Sequence, residues 1–445
     1  MPETLVLPEA RRYLQEMISP PDGARYRRRI LDDELDALLP GLSAISLEGP
    51  KGVGKTATAQ TRAATVHSLD DEAQRQIVRA DLGRLTRGPT PILIDEWQRL
   101  PASWDLVRRA VDADPSPGRF LLTGSASPSG AETHTGAGRI VPIRMRPLSL
   151  AERGMAPSVS LGELLSGARP AVNGATPITL DDYVTEIVSG GFPAIRGLDE
   201  RQIRAHLDGY LARVIDREFP EQGMTLRRPD TLRAWMRAYA AATATTASYE
   251  TIRDAATPGR GNKPSLTATL PWRDILTRLW LLDPIPAWLP TNNAFRELAA
   301  ADKHHLADPA LAARLLNITA RRLVAGGDAE PAIPRHGPLV GALFESLLAL
   351  NLRVYAQAAE AEVRHLRTQR GEHEVDFVVV GPDDGIVALE VKLAATVDDS
   401  DTKHLEWLRG RIGDQLLDAV LITTGTEAYR RPDGIAVVPA ALLGP

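Results

Sequence analysis

The stretch Ile45-Ser46-Leu47-Glu48-Gly49-Pro50-Lys51-Gly52-Val53-Gly54-Lys55-Thr56 constrains this chain more than any other. It reads as a short apolar strand, a glycine-rich loop and a helix start, and it fits G-x-x-x-x-G-K-[ST] without a mismatch. The glycines let backbone N–H groups turn inward and come close to phosphate oxygens. The helix N-terminus that follows then favours negative charge. Residues Gly49, Pro50, Lys51, Gly52, Val53, Gly54, Lys55, Thr56 and Ala57 form the expected cradle for a nucleotide, with ATP the expected ligand. Lys55 would reach the β- and γ-phosphates, and the Thr56 hydroxyl would ligate Mg²⁺.

A second apolar run, Pro91-Ile92-Leu93-Ile94-Asp95-Glu96, ends in two acids and suits a second parallel strand of the same sheet. Open α/β sheets hold ligands at the carboxyl ends of their strands, where Asp95 falls. Asp95 would hold Mg²⁺ beside Thr56, and Glu96 would polarise the attacking water as general base. Arg119-Phe120-Leu121-Leu122-Thr123-Gly124-Ser125 repeats the strand pattern and ends in hydroxyls. Thr123 or Ser125 would sense the γ-phosphate, or would merely cap a turn. Arg139 precedes a further strand, Val141–Met145, and would supply charge to the phosphoryl transition state in cis or in trans. Residues 1–40 read as helical. The run Arg25-Tyr26-Arg27-Arg28-Arg29 is either a solvated helix face or a phosphate contact.

These residues resemble the AAA-like ATPases that carry a C-terminal domain of unknown function, DUF4143. The resemblance rests on Glu48-Gly49-Pro50-Lys51 with the loop, on Ile94-Asp95-Glu96-Trp97-Gln98-Arg99 and on Leu121–Ser125. Arg139, followed by Arg146-Pro147-Leu148-Ser149-Leu150-Ala151-Glu152, completes it. It is collinear over nearly the whole chain, and Trp97 stands where an aliphatic residue is expected. The resemblance implies that Tyr210–Arg217 is a lid helix after the ATPase core.

Residues 153–180, rich in Gly, Pro, Ser and Ala, read as a linker. From Thr231 the pattern is helix, short helix, a basic loop (Arg260-Gly261-Asn262-Lys263) and helix Leu266–Leu282. The extended segment Pro284–Pro290 follows. This is the outline of a winged helix, which reads DNA or docks a partner. The adjacent His304-His305 share no helix face, so a metal role is not expected there.

The C-terminal part reads α-β-β-β-α-β. Glu390 and Lys392, two apart on one strand, share a face. Asp376 comes from the preceding strand, and Glu345 from the long helix before it. Converging carboxylates repel unless a cation neutralises them, so Glu345, Asp376 and Glu390 beside Lys392 suit a Mg²⁺ or Mn²⁺ site. A metal-bound water, oriented by Lys392, would then attack a phosphodiester. This resembles the PD-(D/E)xK nuclease core, with Val375 in place of the usual proline. Arg364, Arg367 and Arg370 lie near enough to contact phosphates.

With 445 residues the chain has room for roughly three domains. The expected fold is α/β: a P-loop NTPase parallel-sheet domain (1–152), a linker and helical lid (153–225), a winged-helix-like domain (226–300) and a restriction-endonuclease-like domain (301–445). A net charge of -5 excludes a globally basic nucleic-acid coat, so any DNA contact must be a local patch. Without cysteine, neither disulfides nor thiolate zinc sites form. The N-terminus lacks a basic region followed by an apolar run, and no apolar run is expected to span a bilayer. A cytoplasmic protein is expected. Its partners would be nucleotide, and DNA or a protein partner, with no membrane and with an oligomer allowed.

Three functions fit. In one, ATP binding and hydrolysis drive or license a metal-dependent nuclease-like domain acting on DNA. In the second, an ATP-dependent switch controls a catalytically silent nuclease-like fold used for DNA or protein-partner binding. In the third, a plain ATPase carries a C-terminal unit that docks a protein partner.

Overall fold

The computed structural model describes residues 26–124, 136–226, 228–257, 263–291, 297–324, 337–368 and 371–445. Arg25, Ser125, the basic loop residues 260–262 and Arg370 lie outside them. The chain divides into two compact units, Met1–Met145 and Arg146–Pro445.

The first unit is built on a parallel sheet of β1 (Ala44–Glu48), β2 (Thr65–Ser68), β3 (Ile92–Asp95), β4 (Phe120–Thr123) and β5 (Val141–Arg144). Their order is β2-β3-β4-β1-β5. The strands β3 and β4 are buried on both faces, which is why they read as unbroken apolar runs. One face packs Ile92, Ile94, Phe120 and Leu122 against Leu69, Val78, Leu85, Trp104 and Val107. The edge strand β2 has no such run and escaped the sequence reading. Instead of a helix over Ala57–Ala64, the helix after the loop is Lys55–Gln60. It stops because Ala64 N–H donates to Pro91 O (2.8 Å) as the chain turns into β2. Residues 1–40 are not uniformly helical either. Among the described residues the helix is Leu31–Leu38, and Tyr26–Arg29 run irregularly toward it. Arg29 N–H there donates to Asp32 Oδ2 (2.6 Å).

The second unit centres on a seven-stranded mixed sheet. Its strands are β7 (Gly174–Ala175), β8 (Glu362–Arg367), β9 (Glu374–Val380), β10 (Ile386–Val391), β11 (Leu416–Thr423), β12 (Glu427–Arg430) and β13 (Ala436–Pro439). Their order is β7-β12-β13-β11-β10-β9-β8. β8, β9 and β10 are antiparallel; the helix Lys403–Ile412 then carries the chain over to β11, parallel to β10. The expected α-β-β-β-α-β order is present, with β12 and β13 added beyond it.

The segment 153–180 is no linker. Val159–Ser160 (β6) pairs with Leu443–Gly444 (β14), and β7 extends the large sheet by pairing with β12. The Tyr183 hydroxyl accepts a hydrogen bond from Ala441 N–H (2.9 Å). Gly- and Pro-rich composition marks irregular backbone, but it does not say whether that backbone is free. The Arg146-Pro147-Leu148-Ser149 segment likewise belongs with this unit, since Leu150 N–H donates to Asn351 Oδ1 (3.0 Å).

Three helices, Pro229–Ala241, Tyr249–Ala255 and Leu266–Arg278, occupy the expected middle positions. The proline-rich segment then pairs antiparallel with a returning arm, through Leu282↔Leu306 and Ile285↔Lys303, and joins the edge of β8 at Ala287↔His365. The bound expected at residue 300 therefore falls between the two arms of one ribbon.

The helix Gly337–Ala358, 22 residues, is long and apolar enough by length and composition to cross a bilayer, contrary to the sequence expectation. Most of it is buried inside the second unit, against β8, β9 and the helices Leu180–Ser189 and Pro309–Leu315.

Candidate functional site

The loop after β1 turns through three glycines of positive φ, Gly49 (148°), Gly52 (81°) and Gly54 (101°), and delivers Lys55 and Thr56 to the start of a helix. The Lys55 ammonium is buried and donates to Gly49 O and Pro50 O, both at 2.8 Å, so it lies within the curl of the loop. Thr56 Oγ1 donates to Asp95 Oδ1 at 2.7 Å, and Thr123 Oγ1 donates to the same carboxylate oxygen. Strand polarity makes this possible: β1, β3 and β4 are parallel, so their last residues emerge at one edge of the sheet. The hydroxyl and carboxylate that suit Mg²⁺ are thus already adjacent, and the donor set fits that ion.

Glu96 follows with φ at 54°, in the left-handed region that costs a non-glycine residue about 1 kcal/mol or more. Its Oε2 accepts from Gln98 Nε2 (2.6 Å). Burial, reinforced by Asp95, pushes the Glu96 carboxyl above its usual range, with Lys51, Lys55 and Arg99 opposing. A carboxylate of raised basicity beside a phosphate loop suits a general base. The Thr-Gly-Ser motif has a packing reason too. A Cβ on Gly124 would stand 2.6 Å from Gln98 Oε1 and 2.7 Å from Trp97 Nε1. Ser125 lies outside the described residues.

Arg139 does not join this group. It precedes β5, at the edge where the strands begin, and pairs on the surface with Asp112 (2.8 Å). The loop leaves from the other edge, about 15 Å away along a five-residue strand. A role in cis is thereby corrected. Arg28 pairs with Asp33 and Asp36 at the surface, whereas Arg29 is buried and its Nη1 donates to Val53 O (2.9 Å) within the loop. That brace was missed: nothing in a run of arginines distinguishes the one that turns inward.

In the second unit the four predicted residues do converge. Asp376 and Glu390 lie on neighbouring antiparallel strands, one step beyond the pair Leu389↔Phe377, and Asp376 Oδ2 accepts from Val391 N–H (3.0 Å). Lys392 Nζ stands 3.3 Å from Glu390 Oε1 and 3.8 Å from Asp401. At their centre is a residue the sequence did not flag. Lys303 Nζ lies 2.9 Å from Glu345, 3.2 Å from Glu374 and 3.1 Å from Asp376. Lys303 is 0% exposed. Burial alone would lower its pKa, but Asp376, Glu345 and Glu374 outweigh it and hold the ammonium well above the ordinary lysine range.

Burial pushes Glu345 up to about 8, with Asp376 adding to the rise and Lys303 opposing. Burial does the same to Glu390, also to about 8, helped by Asp376 and opposed by Lys392. Among the described residues no group of three or more His, Cys, Asp or Glu side chains is arranged to hold a metal ion. The expected Mg²⁺ or Mn²⁺ set of Glu345, Asp376 and Glu390 is corrected on this point: two of its members already bind an internal cation, so the residues present do not fit a divalent metal.

Arg364 pairs with Glu362 (2.7 Å) and Glu297 (3.0 Å), and Arg367 faces Glu374 (3.5 Å). Of the cations on the helix Leu266–Arg278, Arg273 lies over the Tyr249 ring and Arg278 is exposed. His304 faces Ala247 O at 2.7 Å through Nε2.

Three family models match separate parts of the chain. Residues 43–153 match the AAA domain family, residues 180–322 a domain of unknown function, DUF8612, and residues 340–443 the domain of unknown function DUF4143. Uncharacterized protein Mb2031c of Mycobacterium bovis and Uncharacterized protein Rv2008c of Mycobacterium tuberculosis are each 24% identical over 405 residues, covering 89% of this chain and 80% of theirs. Among solved structures, the Walker-type ATPase PABY2304 of Pyrococcus abyssi aligns at a TM-score of 0.39 and 16% identity, over 68% of this chain and 99% of that one. The RuvB Holliday junction branch migration motor of Thermotoga maritima aligns at a TM-score of 0.24 and 17% identity, over 61% and 94%. An AAA domain of P-loop ATPase-like fold, built on the Gly49–Thr56 loop, and a DUF4143 domain are both present in this chain.

Proposed function

We propose that this chain binds and hydrolyses ATP at the Gly49–Thr56 loop and works as a nucleotide-dependent switch. Its second unit, in this reading, is a restriction-endonuclease-like fold used for binding. The observation that carries the ATPase reading is the convergence of Lys55, Thr56, Asp95 and Glu96 at one edge of a parallel sheet.

On ATP binding, Lys55 exchanges the carbonyls of Gly49 and Pro50 for β- and γ-phosphate oxygens. Thr56 and Asp95 would hold Mg²⁺, which would neutralise phosphate charge. Glu96, released from Gln98, accepts a proton from the attacking water. Arg139, paired with Asp112 away from this loop, serves a neighbouring copy. The route from site to second unit is covalent and short. Met145 N–H donates to Glu48 O (2.7 Å) at the loop's entry, and the next residue opens the second unit.

The test is nucleotide binding and turnover. Lys55→Ala is expected to abolish binding by calorimetry. Glu96→Gln is expected to keep binding while hydrolysis falls about a hundredfold or more. Equal hydrolysis by wild type and Glu96→Gln would refute the role given to Glu96.

A second reading, cleavage of DNA, draws support from the meeting of Asp376, Glu390 and Lys392 on adjacent strands. Plasmid DNA incubated with Mg²⁺ or Mn²⁺, with and without ATP, separates the two. Cleavage lost in Asp376→Ala favours the nuclease; ATP-dependent retention of uncut DNA favours the switch. Undetectable DNA binding at low salt points to a protein partner.

A further inference from the structure

We propose that Lys303 is the built-in cation of the C-terminal carboxylate cluster, and that its ammonium stands where a nuclease-like fold would place a divalent metal. The inference does not depend on the ATPase reading; it rests on the restriction-endonuclease-like reading of the second unit.

Donor arithmetic is the first support. An ammonium has three N–H donors and no acceptor. Lys303 Nζ meets three carboxylates, Glu345, Glu374 and Asp376, all within 3.2 Å. It donates hydrogen bonds to Glu345 and Asp376, and Glu374 completes the shell as an ion pair. Asp376 also accepts Val391 N–H on its other oxygen. A divalent ion needs several of these same oxygens at roughly 2.0–2.6 Å. It would have to displace the ammonium or share ligands with a like charge a few ångströms away.

The tether is the second support. Lys303 lies on the returning arm of the ribbon and exchanges both backbone hydrogen bonds with Ile285, at 2.8 Å each. Its neighbour His304 donates its backbone N–H to Thr245 O (2.8 Å). The backbone is thus fixed, and full burial of the side chain keeps its ammonium among the carboxylates. Glu390 completes the contrast. Its Oε1 faces Lys392, while its Oε2 is buried without a hydrogen-bond partner. Glu390 is thus the one predicted ligand that Lys303 does not reach.

The test uses the full chain without nucleotide and carrying Thr56→Ala, so that the loop does not contribute a metal site. Titration with Mn²⁺ followed by electron paramagnetic resonance is expected to leave the ion free up to millimolar concentration. Adding Lys303→Met is expected to lower the thermal midpoint of the second unit by about 10 °C. It should also create a saturable Mn²⁺ site whose filling recovers part of that loss, and Asp376→Asn should remove the site. Saturable Mn²⁺ binding by the chain with Lys303 intact, lost in Asp376→Asn, overturns the proposal. So does a Lys303→Met chain with an unchanged midpoint, or one destabilised without recovery in Mn²⁺. Should Lys303→Met fail to fold, the titration with Lys303 intact still decides.

Discussion

Replacing Gly49 by alanine tests how tightly the phosphate loop is built into the sheet. Gly49 has φ at 148°, a region that an L side chain occupies at a cost of about 1–3 kcal/mol. The new Cβ would also stand 2.1 Å from Met145 O and 3.1 Å from its carbonyl carbon. Both are backbone atoms, so no side chain can rotate away. The end of β5 must draw back by about 1 Å to restore ordinary contact. That movement breaks the Met145 N–H to Glu48 O bond (2.7 Å), a further loss of about 1 kcal/mol. The total is about 2–4 kcal/mol for the first unit, a large share of the stability of a domain this size. Gly138→Ala is the control. Its φ of 74° is also positive, but no atom lies within 4 Å of the new Cβ, so only about 1 kcal/mol is expected. Native-state hydrogen exchange, read by mass spectrometry on peptides covering 44–48 and 141–145, reports the first unit separately from the second. Protection there should fall by several hundredfold in Gly49→Ala and about fivefold in Gly138→Ala. Equal loss in both variants would mean that the close approach to Met145 costs nothing, and the reasoning would fail.

Two further effects follow from side chains just outside the sites. Arg29→Met removes the donor to Val53 O and should weaken ATP binding about tenfold by loosening the loop, with the fold intact by circular dichroism; unchanged affinity in calorimetry would remove Arg29 from the site. His365 is buried, and burial together with Lys303 pushes its imidazole down to about 4, so it is neutral when folded but takes up a proton near pH 6.5 when unfolded. Its contribution is therefore fully present above pH 6.5 and is lost as pH falls toward 4, by about 3 kcal/mol. Urea unfolding of the second unit at pH 7 and pH 4 should show that loss, and His365→Gln should lessen it; equal pH dependence in both chains would count against it.

The phosphate loop and the acidic end of β3 were legible because their signals are local. A glycine spacing and an apolar run followed by two acids depend on neighbours in sequence, and parallel pairing only had to bring them to one edge. The strand β2 was not legible, because an edge strand keeps one side open and needs no continuous apolar run. The segment 153–180 misled for a related reason. Its composition describes turns, while its partners, β12 and β14, lie more than 250 residues away.

By itself, then, the sequence determined the chemistry available at the Gly49–Thr56 loop and the alternation that puts Glu390 and Lys392 on one face. Tertiary structure alone decided which charges meet. Arg139 carries the right group but stands at the wrong edge of the sheet. Lys303 sits in no motif, yet a ribbon closing at Ile285 sets its ammonium among Glu345, Glu374 and Asp376. Coulomb attraction acts through space over a few ångströms, and the spacing of residues along a chain does not record that distance.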